Sequence, residues 1–174
     1  MVLLILQPPF YNLYEDTFEV FTSFFIAFTS FVHSSKRLEI AHDHSYSVRR
    51  VIDGDTFVIE DGSSKGTKVR FIGIDAPESR NTGRKLIGYF GAESKKYLTE
   101  RLKNRHVSLT FDVAKRDRYG RLLAYVYIDS VLLNAELVEK GYAVTMTVPP
   151  NVKYAAYFRE LEGKARLHKA GLWK

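Results

Sequence analysis

Six charged side chains in this chain fall where strands end or turn: Asp53 and Asp55 in VIDGDTFVIE, Arg70 in VRFIGID, Asp75 and Glu78 in DAPES, and Arg121 in RDRYGRLLAY. Each type has a part to play in phosphodiester cleavage. Two carboxylates are hard oxygen ligands for Ca²⁺, which accepts irregular geometry. A third carboxylate can orient an attacking water or accept its proton. Two guanidiniums can grip the equatorial oxygens of a phosphorus transition state. Taken singly, each residue has a plainer explanation. Arg70 reads as a strand residue paired with an acid, Asp75 before Ala-Pro as a turn former, and Glu78 as a loop charge. Convergence of all of them on one place is what an accident does not explain.

The elements that must position these groups are strands. YSVRRVI and TFVIE flank Asp53-Gly54-Asp55, and Asp-Gly between alternating apolar residues is a strong hairpin signal. DGSSKG then turns the chain into TKVRFIGI (67–74), giving a three-strand antiparallel meander. The loop 75–91 is polar and basic. AESKKYLTERLKN (92–104) has a helical pattern with Ala92, Tyr97, Leu98 and Leu102 as its apolar positions. HVSLTF (106–111) and RLLAYVYI (121–128) are two more strands. LNAELVEKG (133–141) and KYAAYFRELEGKARLHKA (153–170) complete the chain as helices. Five strands and three helices in this order predict a five-stranded OB-type barrel, an α+β fold whose sheet face and loops commonly bind oligonucleotides.

Charge points the same way. The chain carries 26 basic and 20 acidic residues, but only two of the bases and five of the acids precede residue 47. The remainder holds a net charge of +9, which attracts polyanions. With no cysteine, disulfides, thiolate metal sites and thiol catalysis are excluded. No Ser–His–Asp grouping or glycine-rich phosphate loop is present. His106, in a strand, and His168, in the last helix, read as structural.

Residues 1–33 form a hydrophobic segment of a different kind, with no charge between Glu19 and Lys36 and phenylalanines at helical spacing. Three readings remain open for it: a membrane anchor or export signal, a helix packed on the domain, or an extension outside the folded unit. The first is favoured, which places the domain in a secreted or membrane-anchored protein, whereas a segment without targeting function leaves it cytoplasmic. Residues 34–45 read as a polar linker and 46–174 as the domain.

From about residue 46 to 173 the chain resembles the staphylococcal nuclease family of thermonuclease-like domains. The resemblance is carried by IDGDT (52–56), VRFIGIDAPE (69–78), DRYGRLLAYV (117–126), LNAELVEKGYA (133–143) and HKAGLWK (168–174). Matched position by position, it implies that Asp55, Asp75 and the backbone carbonyl of Ala76 hold Ca²⁺, with Asp53 standing behind them. It places Arg70, Glu78 and Arg121 at catalytic positions and Arg118 and Tyr119 against the nucleotide. The implied activity is hydrolysis of DNA or RNA with little sequence preference, leaving 3′-phosphate ends. The alternative is a non-catalytic nucleic-acid-binding module. No protein partner is implied. One departure stands out: the family usually presents tyrosines to a base after the second helix, and AVTMTVPPN (143–151) has none. Arg80, Arg84 and Lys85 in the basic loop are candidates to track the phosphate backbone instead.

Overall fold

The computed structural model describes residues 45–81 and 88–174. The readings made for residues 1–33 and for all of the linker except Ser45, like Arg84 and Lys85, lie outside these residues. Strands β1 (Ser45–Asp53), β2 (Thr56–Ile59) and β3 (Thr67–Phe71) form the expected meander. β5 (His106–Thr110) pairs antiparallel with both β1 and β6 (Leu122–Ile128), and β6 returns to β3 in parallel register, Val69 opposite Leu122 and Phe71 opposite Ala124. That last pairing closes the five-stranded barrel, leaving its interior to be filled by side chains. Phe57, Val69, Phe71, Val107, Ala124 and Val126 supply the fully or almost fully buried filling. A short β7 (Val131–Leu132) folds back on β6.

TKVRFIGI does not run through as one strand. It breaks after Phe71, and Gly73 takes a left-handed φ of 79° where an added Cβ would also strike the Phe158 ring at 2.8 Å. Only glycine combines that conformation with so close an approach. The chain then re-forms as a two-residue strand, β4 (Ile74–Asp75), paired with β8 (Val144–Thr145) in a separate sheet. Asp75 is therefore fixed by a pairing with a segment seventy residues away in sequence, Asp75 opposite Val144.

Three α-helices brace the barrel, with a 3₁₀ turn at Gly171–Trp173 after them. In α1 (Gly91–Leu102) the buried positions are Gly91, Ser94, Leu98 and Leu102, while Ala92 is exposed. The helical spacing expected from the sequence is right but its face begins one residue earlier, on small residues. α2 (Leu133–Glu139) packs next to α3 (Ala155–Leu167). Arg101 of α1 forms a bidentate pair with Glu136 of α2, at 2.6 and 2.8 Å. In α3 the buried Glu162 accepts the Thr145 backbone N–H at 3.0 Å and so anchors β8. Both described histidines, His106 and His168, are exposed. His106 Nε2 lies 3.1 Å from Ser47 Oγ, and His168 Nδ1 lies 2.9 Å from the Lys164 carbonyl. Among the described residues no helix is long and apolar enough to cross a membrane.

Asn134 of α2 is the polar clamp of this arrangement. Wholly buried, it accepts the Val126 N–H at 2.9 Å and donates to the Ile72 carbonyl at 2.8 Å, joining β6 to the break between β3 and β4. Asn134→Ala strands both backbone groups, each costing on the order of 1–3 kcal/mol when buried without a partner. The expected loss is about 2–4 kcal/mol in urea-induced unfolding.

Candidate active site

The register of β2 on β3 sets Thr56 opposite Arg70, so Asp55 in the turn before β2 arrives beside the Arg70 side chain. Their contact is an ion pair, Arg70 Nη1 on Asp55 Oδ2, with both side chains buried. Arg70 Nη2 donates to Asp75 Oδ1 at 2.6 Å. One guanidinium thus holds together the two carboxylates singled out from sequence. Burial lowers the Arg70 pKa, and the charge and hydrogen bond of Asp75 work against that shift. Arg121 also lowers it and Glu78 raises it, so both are electrostatic neighbours of Arg70.

Asp55 is satisfied from several directions. Its Oδ1 accepts the Thr56 hydroxyl at 2.9 Å, and its Oδ2 accepts the Ala76 N–H at 2.7 Å. The N–H of the Asp75–Ala76 peptide is therefore held against Asp55. Asp53 does something else. Its Oδ1 accepts the N–H of Gly54 at 2.9 Å and of Ser79 at 3.1 Å, tying the loop that carries Glu78 to the hairpin. The two neighbouring aspartates do not act as a pair: one faces Arg70 and the other anchors the loop.

Glycines at this turn answer to space rather than to φ. Gly54 is not left-handed, yet a Cβ there would sit 2.7 Å from the Ala76 Cβ and 2.9 Å from the Ser94 Cβ. Gly91, at the start of α1, admits the Glu78 carbonyl to a point 2.1 Å from where its own Cβ would be. The Gly88 N–H also donates to the Glu78 carbonyl, at 3.0 Å. The sequence reading took Gly54 for a conformational turn residue; its physical task is to let the turn, the 75–79 loop and α1 meet.

Arg121 lies one residue before β6, in the turn DRYGR, rather than within the strand. Asp117 holds it there. Asp117 Oδ2 accepts the Arg121 Nε–H at 2.7 Å, and Oδ1 accepts the backbone N–H groups of Tyr119 and Arg121 at 2.9 and 3.0 Å. Because Asp117 occupies Nε, both terminal nitrogens of Arg121 can donate elsewhere. Asp117 was not among the residues predicted from sequence. Its signal was present, since aspartate opening a turn that has glycine in its fourth position is a type I pattern. Arg118 and Tyr119 are at the tip of that turn, Arg118 Nη2 donating to the Tyr119 hydroxyl at 2.6 Å. The Tyr119 ring is 65% exposed, with the Arg118 and Arg121 guanidiniums 4.8 and 5.6 Å from its centre.

Arg70 and Arg121 line one cavity of about 470 Å³, together with Tyr119 and the residues Met146, Val148 and Pro149. The tyrosine-free segment noted in the sequence is thus one wall of this cavity, which it lines with Met146, Val148, Pro149, Pro150 and Asn151. Asn151 holds that wall, exchanging two 2.8 Å hydrogen bonds with the Ala114 backbone. It too was missed from sequence, where it reads as an ordinary loop residue.

Among the described residues no cluster of three or more acidic or histidine side chains is placed to hold a metal. The donor set nevertheless suits a hard cation. Asp55 and Asp75 converge on one guanidinium, and carboxylate, backbone carbonyl and water oxygens are ordinary ligands for Ca²⁺.

The family model for the staphylococcal nuclease homologue matches residues 68–174. The chain is 34% identical over 139 residues to a thermonuclease of Staphylococcus hyicus, covering 80% of this chain and 81% of that protein. It is 35% identical over 130 residues to a thermonuclease of Staphylococcus intermedius, covering 75% and 76%. Endonuclease YncB of Bacillus subtilis is 36% identical over 126 residues, which span 71% of this chain and 59% of that one.

The Asp117–Arg121 pair has a spectroscopic consequence. Burial would raise the Asp117 carboxyl, but hydrogen bonds from Arg121 and the turn backbone overcome it and hold the group below its usual range. A depressed carboxylate stays ionised, and its contribution is lost only when pH falls through the lowered value. NMR should therefore show an Arg121 Nε–H that exchanges slowly with solvent and stays protected as pH falls past about 4, where an ordinary aspartate protonates. In Asp117→Ala that protection should be gone at every pH.

Proposed function

The chain belongs to the staphylococcal nuclease family, and we propose that it is a Ca²⁺-dependent nuclease that hydrolyses DNA or RNA with little sequence preference and leaves 3′-phosphate ends. The observation that carries this reading is the joining of Asp55 and Asp75 through Arg70, with Glu78 and Arg121 as the electrostatic neighbours of that arginine. Asp55, Asp75 and the Ala76 carbonyl are the groups that would hold the Ca²⁺. When bound, the ion supplies positive charge beside the phosphodiester.

Glu78, on the loop that Asp53 ties down, is the carboxylate that would orient the attacking water or accept its proton. Attack at phosphorus breaks the bond to the 5′-oxygen, which takes a proton from solvent and leaves as a hydroxyl, so the phosphate stays on the 3′-oxygen of the other fragment. Arg121 presents its two terminal nitrogens, with Nε already fixed by Asp117. Arg70 spends one N–H on each aspartate and retains others for the equatorial oxygens, where charge accumulates in the transition state. Both guanidiniums are anchored before substrate arrives, so the protein need not reorganise during the reaction.

The test uses the full-length protein with single-stranded DNA and RNA, in Ca²⁺ or in chelator. Cleavage is expected with Ca²⁺ only. Arg121→Ala and Glu78→Gln should each reduce it about 10²–10³-fold or more, the scale seen when one transition-state contact is removed. Near-parental rates in both variants would overturn these roles. Binding without cleavage in the parent would make the domain a non-catalytic nucleic-acid-binding module.

A further inference from the structure

A second concavity adjoins the catalytic cavity on the outer face of the β1–β2–β3 meander. It is a groove of about 600 Å³, and its charged lining is wholly cationic: Arg49, Arg50, Lys65, Lys68, Arg116 and Arg121. It shares Arg116, Tyr119 and Arg121 with the catalytic cavity, so the two are continuous around the exposed Tyr119 ring.

The state of these cations matters more than their number. Arg49 is paired with Glu60 at 3.1 Å and capped by the Ser64 carbonyl at 2.8 Å, and Arg121 is paired with Asp117. Arg116 donates at 2.7 Å to the Gly120 carbonyl, which orients it without neutralising it. Arg50, Lys65 and Lys68 are exposed and carry no ion pair among the described residues. The hairpin's other acid is already engaged, since Asp61 accepts from Ser63 at 2.7 Å and from Thr67 at 2.5 Å. Like charges gathered in one concavity repel one another, and a polyanion laid along it relieves that repulsion.

Resting on the nuclease reading above, we propose that this groove carries the strand beyond the scissile phosphate, with Arg50, Lys65, Lys68 and Arg116 holding successive backbone phosphates of a single-stranded nucleic acid. The strand leaves the catalytic cavity past Tyr119, whose ring is open for a base to stack on. Phosphates are the shared chemistry of DNA and RNA, so the groove serves both. A polynucleotide is then a better substrate than a dinucleotide, which reaches the catalytic arginines but not the groove.

The experiment compares the full-length protein with a combined Arg50→Gln, Lys65→Gln, Lys68→Gln variant and with Lys68→Glu alone, each checked by thermal melting. A labelled oligonucleotide of about 16 nucleotides, the upper end of what one OB-type barrel covers, is bound in chelator, as DNA and as RNA. Single-strand affinity falls with salt by roughly 0.7 logarithmic units for each phosphate neutralised. The triple variant should therefore lose about 2 units of salt slope and at least about tenfold in low-salt affinity. Lys68→Glu should shift both in the same direction. With Ca²⁺ present, the preference for the oligonucleotide over a dinucleotide in kcat/KM should collapse in the triple variant. Unchanged slopes, equal loss on both substrate lengths, or a loss for RNA alone would overturn the proposal. Slopes that depend on the three cations in a parent that cleaves nothing would keep the groove and refute the enzyme.

Discussion

A buried guanidinium between two carboxylates is the constraint on which the rest of the site depends. Asp55 and Arg70 are nearly removed from solvent, and the second carboxylate, Asp75, is partly exposed. A buried ion pair recovers its desolvation cost only when its geometry is good and its remaining lone pairs are satisfied. Here Thr56 and the Ala76 N–H do that for Asp55, so the pair dictates where three separate backbone segments must lie. The β2–β3 register delivers Asp55 to Arg70. The break at Gly73 and the β4–β8 pairing deliver Asp75. Removing Arg70 would leave the buried Asp55 carboxylate without its counter-charge, which is far more costly than the net worth of the pair.

The second half of the site is brought in by barrel closure. Parallel pairing of β3 with β6 sets Leu122 opposite Val69, so the turn before β6 lies beside the N-terminal half of β3 and Arg121 enters the neighbourhood of Arg70 as a consequence of topology. Among the described residues helix α1 supplies no partner to the ion pairs of the site. Its small residues allow close contact instead, Gly91 against the Glu78 carbonyl and Ser94 against the Asp53–Asp55 turn. α3 acts at one remove, since Glu162 anchors β8 and β8 positions Asp75. A large part of the domain is therefore engaged in holding five side chains.

Sequence disclosed the groups whose chemistry is unusual for their setting. The IDGDT hairpin, the acids following VRFIGI and the arginine after RDRYG were all legible, because charge at a strand end is conspicuous and the residue types match one reaction. The strands and the barrel were legible from alternation. What stayed hidden was pairing at a distance. Nothing local says that Ile74–Asp75 leaves one sheet to join Val144–Thr145, since Ile74 reads as the end of the third strand and Asp75 as the start of a polar loop. Asp117 was passed over because its role is to orient another residue. Gly54 was legible as part of the hairpin turn, but not the close approach of Ala76, whose Cβ would lie 2.7 Å from a Cβ at position 54. The basic groove was illegible for the same reason as β4–β8: Arg50, Lys65 and Arg116 are far apart in sequence and meet only across the curved face of the meander.

That groove bears on the missing tyrosines. The cavity wall offers Met146 and Val148, both substantially exposed, in place of flat rings. Stacking on an aromatic side chain is worth about 1–3 kcal/mol per base and requires a base at a defined place. Unpaired cations along a groove recover affinity in a different way. They act on the backbone, which is the same for every sequence, and they act through counterion release, which fails as salt rises. If the groove carries the strand as proposed, a site that stacks a base on Tyr119 and grips phosphates through Arg50, Lys65, Lys68 and Arg116 gives up base discrimination and salt tolerance together. Chain length then becomes its principal means of telling substrates apart, because each added nucleotide brings another phosphate into the groove until the cations are filled.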